Sequence, residues 1–286
     1  MEQDILSRIE ANASAFSKNQ RLLAAYIGEN YDKAAFLTAG KLARAVGVSE
    51  STVVRFATEL GYAGYPEMRR AVQDMVRSRL TAVQRIAAAR DTMTSANVLR
   101  KVIADDVAML QSTLEEINHA SFDRVVELLA EADNIYIIGS RSSYCLASYL
   151  FFYLQILRGG IHLVQDTTMS ELPEQLFRVT ERDVCLFISY PRYSSRSLQG
   201  LRCAREQGAS IVALTDNEAS PFAQGADIAL YAHSEMVSFV DSLTAPMSLL
   251  NALIVALGSR SDIRAADTFG RLEGVWSQYE IFSRTE

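Results

Sequence analysis

No run of some 18 apolar residues occurs in this 286-residue chain, so a membrane-spanning helix is not expected. Cysteine is scarce: Cys145, Cys185 and Cys203, an odd number without a CxxC pair. That excludes a disulfide framework and predicts reduced core thiols, hence a cytoplasmic protein. Histidine is as scarce, and His119, His162 and His233 are too scattered for a metal site. No metal and no cofactor are expected. The opening MEQDILSRIEANA is acidic and polar, unlike a secretory signal. A chain basic throughout is excluded by the net charge of −6. What is present is globular in texture, 49% hydrophobic and 22% charged.

The charge is uneven. Residues 1–80 carry 11 Lys+Arg against 9 Asp+Glu, or +2; the remainder carries 17 against 25, or −8. A mildly basic head on an acidic body fits a small DNA-binding domain attached to something else. The head contains KLARAVGVSESTVVRFATEL, residues 41–60. Gly47 suits a tight turn because it takes φ > 0 without a Cβ penalty. Ser49 is a good N-cap. Val53, Phe56 and Leu60 then share one buried face, which turns Glu50, Ser51, Val54, Arg55 and Thr58 outward. This is a helix-turn-helix pattern, whose second helix enters the major groove. The candidate DNA contacts are Lys41, Ser49, Glu50, Ser51, Thr52, Arg55 and Thr58, with Arg55 suited to guanine. The plainer alternative is a pair of amphipathic helices in an ordinary bundle.

Around the motif the spacing predicts a helix over 3–16, a second capped by Ser17, and Thr38 as the cap of the next. Gly61 ends the second motif helix, and Pro66 opens another. Residues 68–90 read as one helix carrying Arg69, Arg70, Arg77, Arg79 and Arg85, either along DNA phosphates or as a solvated face. Polar 91–97 is the expected linker, followed by a helix over 98–117. Ser121 then caps a helix leading into the second domain.

From residue 134 strands and helices alternate. NIYIIG, IHLVQ, VCLFIS (184–189), SIVALT (210–215) and DIALYA (227–232) read as five strands. A helix over 240–257, kinked at Pro246, is apolar on most faces and is expected in a core or an interface. Such alternation predicts a doubly wound parallel α/β sheet. Ligands of open α/β sheets sit beyond the C-terminal strand ends, where strand order reverses. The loops after the first and third strands hold Ser140, Ser142, Ser143, Ser189, Ser194, Ser195 and Ser197, with Arg141, Arg192 and Arg196. Hydroxyls and cations at two helix N-termini point to an anion site. The alternative is that these serines are caps and turn formers only. The candidate effector residues are Ser140, Arg141, Ser142, Ser143, Ser189, Arg192, Ser194 and Ser195.

The segments LARAVGVSESTVVRFATELGYAGY, IYIIGSRSSYCLA, FISYPRYSS and IVALTDNEASPFAQGADIAL together resemble the bacterial RpiR-type transcriptional regulators. The likeness spans about residues 15–257. It implies an all-α helix-turn-helix domain joined to a SIS-like (sugar isomerase), flavodoxin-like domain with a five-stranded parallel sheet. The expected division is 1–80 for the DNA-binding domain, 81–120 for a helical linker and 121–286 for the effector-binding and dimerisation domain. The implied partners are operator DNA, a small anionic metabolite such as a sugar phosphate or sugar acid, and a second copy in a dimer or tetramer. Arg141 and Arg192 stand where the family pattern has glycine, and Pro191 where it has serine. They predict an effector with an acidic group, held against Arg141 or Arg192 at the helix beginning near Ser143. The competing outcome is that they pair with Asp166 or Glu171 and fill the pocket.

Two other functions remain open at this level. Sugar isomerisation needs a general base of tuned pKa near the substrate. Neither loop holds a carboxylate or histidine, and Glu171, Glu235 and His233 outside them belong to no motif, so the chain is not expected to be an enzyme. The other alternative is a second domain that serves only to dimerise.

Overall fold

The computed structural model describes residues 5–79, 81–89, 97–165, 172–236, 239–260 and 265–282. The chain forms two compact units. One comprises Met1–Ala108 with Glu235–Ser242, the other Met109–Ser234 with Leu243–Glu286.

The first unit is helical: α1 (Ile5–Asn12), α2 (Lys18–Glu29), α3 (Tyr31–Ala34), α4 (Ala39–Val46), α5 (Glu50–Glu59), α6 (Tyr65–Arg79), α7 (Ala82–Ala89) and the first half of α8 (Val98–Glu116). Its core gathers Leu23, Ile27, Leu42, Ala43, Val53, Phe56, Met68, Val72 and Val76. Ser17 caps α2 in a reciprocal capping box with Gln20. Thr38 caps α4 by accepting from the Lys41 N–H. The single helix expected over 68–90 is instead two. Thr81 and Gln84 form a second capping box, which starts α7 afresh: the Thr81 N–H donates to Gln84 Oε1 at 2.9 Å, and Gln84 N–H to Thr81 Oγ1 at 3.3 Å. The segment from Glu235 to Ser242 completes this unit. Glu235 pairs with Arg70 at 3.1 Å, and Met236 is buried in the helical core. The expected linker residues 91–96 lie outside the described residues.

The second unit carries α9 (His119–Glu131), β1 (Ile135–Gly139), α10 (Ser143–Leu157), β2 (Ile161–Val164), α11 (Leu172–Leu176), β3 (Val184–Ile188), α12 (Ser195–Glu206), β4 (Ser210–Thr215), α13 (Pro221–Gly225), β5 (Ile228–Tyr231), α14 (Thr244–Gly258) and α15 (Ala265–Gln278). All strand pairs are parallel, in the order β2-β1-β3-β4-β5. Strand residues alternate between two helical layers, as a period of two requires. Ile137, Leu186, Ile188, Val212 and Leu214 face the core of α9, α10 and α14; Ile138, Cys185, Phe187, Ile211 and Ala213 face that of α11, α12 and α13. This is the five-stranded doubly wound sheet that the sequence predicts.

Three local expectations are corrected. The cap of α9 is Asn118, whose side chain accepts from the Ser121 N–H at 3.0 Å; Ser121 is not the cap. The long apolar helix begins at Thr244, not 240, so Pro246 lies in its first turn, where a missing N–H costs nothing, and makes no kink. Of the three thiols only Cys185 is buried, and Cys145 is exposed. Burial pushes the Cys185 thiol up to about 12, so it is inert.

Candidate functional site

The motif helices form as their residues dictate. Gly47 ends α4 in the left-handed region at φ 78°. Ser49 caps α5 by accepting from the Thr52 N–H at 3.2 Å. Val53, Phe56 and Leu60 are buried, and Lys41, Ser49, Glu50, Ser51, Val54, Arg55 and Thr58 are exposed. Thr52 differs from the expected contacts. It is buried, and its hydroxyl is 2.7 Å from Ser49 Oγ, which makes it a supporter of the cap rather than a reader. Thr58 stays exposed, but its hydroxyl donates back along the helix to the Val54 and Arg55 carbonyls. Three arginines of the row on α6 and α7, Arg69, Arg70 and Arg85, are engaged within the protein. Arg69 and Arg70 face Glu235, and Arg85 is fully buried with a guanidinium N–H on Met236 Sδ.

In the second unit β1 has β2 on one side and β3 on the other, so strand order reverses between β1 and β3. Both serine-rich loops leave this switch point, Gly139 standing beside Ile188 in register. A Cβ at Gly139 would meet Ser143 O at 2.6 Å and Ala147 Cβ at 2.9 Å. Glycine followed by small Ala147 is what lets α10 start close against the strand end.

Arg141 takes φ 57° and Arg192 φ 63°, both left-handed. Arg141 is followed by Ser142 in the right-handed region, φ −64° and ψ −32°. A left-handed residue followed by a right-handed one turns successive N–H groups toward one point, a nest for an anion. The N–H groups of Ser143, Tyr144 and Cys145 donate back to the carbonyls of Ser140, Arg141 and Ser142 at 3.1–3.2 Å. The expected free donors at Ser143 are therefore occupied. Among the described residues it is the N–H groups of Arg141 and Ser142, one step upstream, that have no partner.

The second loop closes on the first. Ser140 and Ser197 hydroxyls are 2.6 Å apart. Ser194 caps α12, accepting from the Ser197 N–H at 3.2 Å and keeping its own proton to donate. Ser143 and Ser189 are buried, while Arg141, Ser142, Arg192 and Ser195 are exposed. Neither Arg141 nor Arg192 enters an ion pair among the described residues. Asp166 and Glu171, the partners that would fill the pocket, lie outside the described residues.

The end of β4 adds residues outside the eight candidates. Tyr193 donates to Asp216 at 2.7 Å, and Asp216 also accepts from Thr215 and Asn217. The lone Asp after an apolar strand was the available signal. Tyr190 is buried with a hydroxyl that has no partner among the described residues, and burial, with Asp216 second, holds its phenol well above the usual range. Nothing in its spacing distinguishes Tyr190 from a core aromatic. Two of the possible bases are engaged elsewhere, His233 with Glu116 at 2.9 Å and Glu235 with Arg70; Glu171 lies outside the described residues.

Two family models match the chain: a helix-turn-helix domain of the rpiR family over residues 3–79, and a SIS domain over 128–256. An uncharacterized HTH-type transcriptional regulator of Caldanaerobacter subterraneus is 24% identical over 261 residues, 90% of this chain and 91% of that one. Among solved structures, the sugar isomerase domain of an RpiR transcription factor from Sphaerobacter thermophilus matches with a TM-score of 0.59 and 25% identity, over 62% of this chain and 98% of that one. The Vibrio vulnificus NanR protein, complexed with ManNAc-6P, matches with a TM-score of 0.58 and 23% identity, over 98% of this chain and all of that one.

Proposed function

Because the chain belongs to the rpiR family of helix-turn-helix transcriptional regulators and carries a SIS domain, we propose that its second domain senses a small acidic sugar derivative. The observation that carries this reading is the pair of loops at the β1/β3 switch point. One offers the unpartnered N–H groups of Arg141 and Ser142 as a nest; both offer an arginine without an ion-pair partner. A phosphate or carboxylate seated there gains backbone donors, hydroxyl donors and permanent charge together. The ManNAc-6P bound by the Vibrio relative makes a sugar phosphate the first compound to try.

The proposed division of labour is a DNA-reading head over 1–80, a helical linker over 81–120 and an effector-binding body over 121–286. The protein acts in the cytoplasm as a homo-oligomer on a two-fold operator, since one motif covers too little DNA for specificity. It is not an isomerase: His233 and Glu235, two of the three candidate bases, are bound elsewhere. The test is a thermal-shift screen of the full chain with sugar phosphates and sugar acids, followed by titration calorimetry. An acidic sugar should raise the melting temperature and neutral sugars should not. Turnover of a phosphosugar by the purified protein would overturn the non-enzymatic assignment.

A further inference from the structure

The helix α8 presents an apolar stripe that the described residues leave uncovered. Leu99, Ile103, Val107 and Leu114 are 73, 54, 47 and 74% exposed, whereas Met109 and Thr113 on the adjoining face are buried. Half-buried Leu110 falls in the same row. The spacing, 4-4-3-4, keeps all five within roughly 80° of the helix circumference at 3.6 residues per turn. A row so narrow matches the seam of a two-helix pair rather than the broad face that packs on a globular core.

The charges on the helix say what covers it. Lys101 pairs with Asp105 at 2.8 Å, Asp106 accepts from Ser242, and Glu116 is bonded to His233. Arg100 and Glu115 are exposed and without a partner among the described residues. They stand at opposite ends of the stripe and flank the same edge of it. The row is also symmetric about a point beside Val107, so that Leu99 mirrors Leu114 and Ile103 mirrors Leu110. A second copy of α8 laid antiparallel across a two-fold axis therefore sets Leu99 on Leu114 and Ile103 on Leu110. The same operation brings Arg100 of each helix to Glu115 of the other, closing two ion pairs. A parallel copy would leave the like charges level.

We propose that α8 pairs with α8 of a second copy, antiparallel, through Leu99, Ile103, Val107, Leu110 and Leu114, with Arg100 and Glu115 setting the direction. Pairing there gives the helix that leads out of the DNA-reading head its own two-fold contact, separate from any contact made by the SIS domain. It goes beyond the effector reading and does not depend on any ligand.

Cysteine cross-linking of the full chain tests it, in a C145S/C203A background that removes the two accessible native thiols. In the antiparallel pair, V107C lies beside its own copy and should form a disulfide-linked dimer under diamide oxidation. L99C is separated from its own copy by about 22 Å of helix rise and should remain monomeric on a denaturing gel. R100E in the V107C chain should slow cross-linking at least fivefold, and R100E/E115R should restore it. Failure of V107C to cross-link, cross-linking of L99C as readily as V107C, or no recovery in the charge swap each overturns the pairing. None of these results bears on whether an acidic sugar binds the SIS domain, which the thermal-shift screen reads separately.

Discussion

Arg141 and Arg192 share one backbone conformation, φ 57° and 63°, in loops that leave neighbouring parallel strands. An L residue with a side chain holds that region at a cost of about 1–2 kcal/mol. Glycine would hold it freely but would loosen the unfolded chain. The arginines therefore keep the turn that glycine usually makes and add charge to it. R141G and R192G should melt within about 1 kcal/mol of the parent, since the relieved strain and the added chain entropy nearly cancel. Their affinity for an acidic effector should nevertheless fall at least tenfold by calorimetry. Glycine variants that bind it as tightly as the parent would place the effector elsewhere.

On α5, the helix proposed to read DNA, exposure separates candidate readers from supporters. R55A should weaken specific operator binding by about 1–3 kcal/mol, if the guanidinium reads a base. S51A should cost less, because it removes at most one neutral hydrogen bond. T52V should leave contacts with DNA unchanged and instead lower fold stability by about 1 kcal/mol, through the lost bond to Ser49. Gel shifts paired with thermal melts distinguish these outcomes. An R55A chain with unaltered operator affinity contradicts the assignment.

Gly139 tests the tight start of α10. G139A forces a methyl against Ser143 O and Ala147 Cβ. The helix must shift, at a cost of about 1–3 kcal/mol, and the nest at Arg141 and Ser142 shifts with it. The expected result is a lower melting temperature together with lost effector binding. A G139A chain as stable as the parent would mean the strand end has slack.

Asp183 gives the pH dependence. Burial works against its charge, but bonds from the Asn134 side chain, the Thr180 N–H, the Thr180 hydroxyl and the Asn134 N–H together outweigh it, so its pKa is depressed. A depressed carboxylate stabilises the fold fully above the unfolded value, about 3.9, and loses that contribution as pH falls through the folded value. Melts from pH 7 down to 3 should therefore decline steeply at the acid end. D183A should remove that part of the decline and destabilise the fold at pH 7, by about 1–3 kcal/mol for each donor left unpaired. Equal acid sensitivity in both chains would assign the decline to other carboxylates.

What was legible in the sequence is what local chemistry decides. Gly47 fixes the motif turn through its backbone and Ser49 through its side-chain cap, and Val53, Phe56 and Leu60 mark the buried face. Short apolar runs such as VCLFI, bounded by polar or turn residues, read as strands covered on both sides, so the sheet and its switch-point loops followed. What was not legible depends on residues distant in sequence. Arg85 reads as one of five surface arginines until Met236 closes over it. Arg69 and Arg70 look free for phosphates because Glu235 is 165 residues from Arg70. Thr81 breaks a helix that the periodicity carries through, since a capping box outweighs an apolar repeat at one point. Arg141 and Arg192 could be placed in the two loops, but not their left-handed backbone, nor that Ser143, Tyr144 and Cys145 would spend their N–H groups on the loop itself.

The segment from Glu235 to Ser242 bears on how this protein can be dissected. Met236 is 1% exposed inside the helical core, and Glu235 faces Arg69 and Arg70. Truncation after Ala108 would therefore not release an intact head. It would open a methionine-sized void beside Gln73 and Arg85 and strip two arginines of their counter-charge. Such a fragment would cling more strongly to polyanions of any sequence and melt earlier, both for reasons unrelated to operator recognition. An isolated head worth measuring is one with 235–242 spliced back through a short linker.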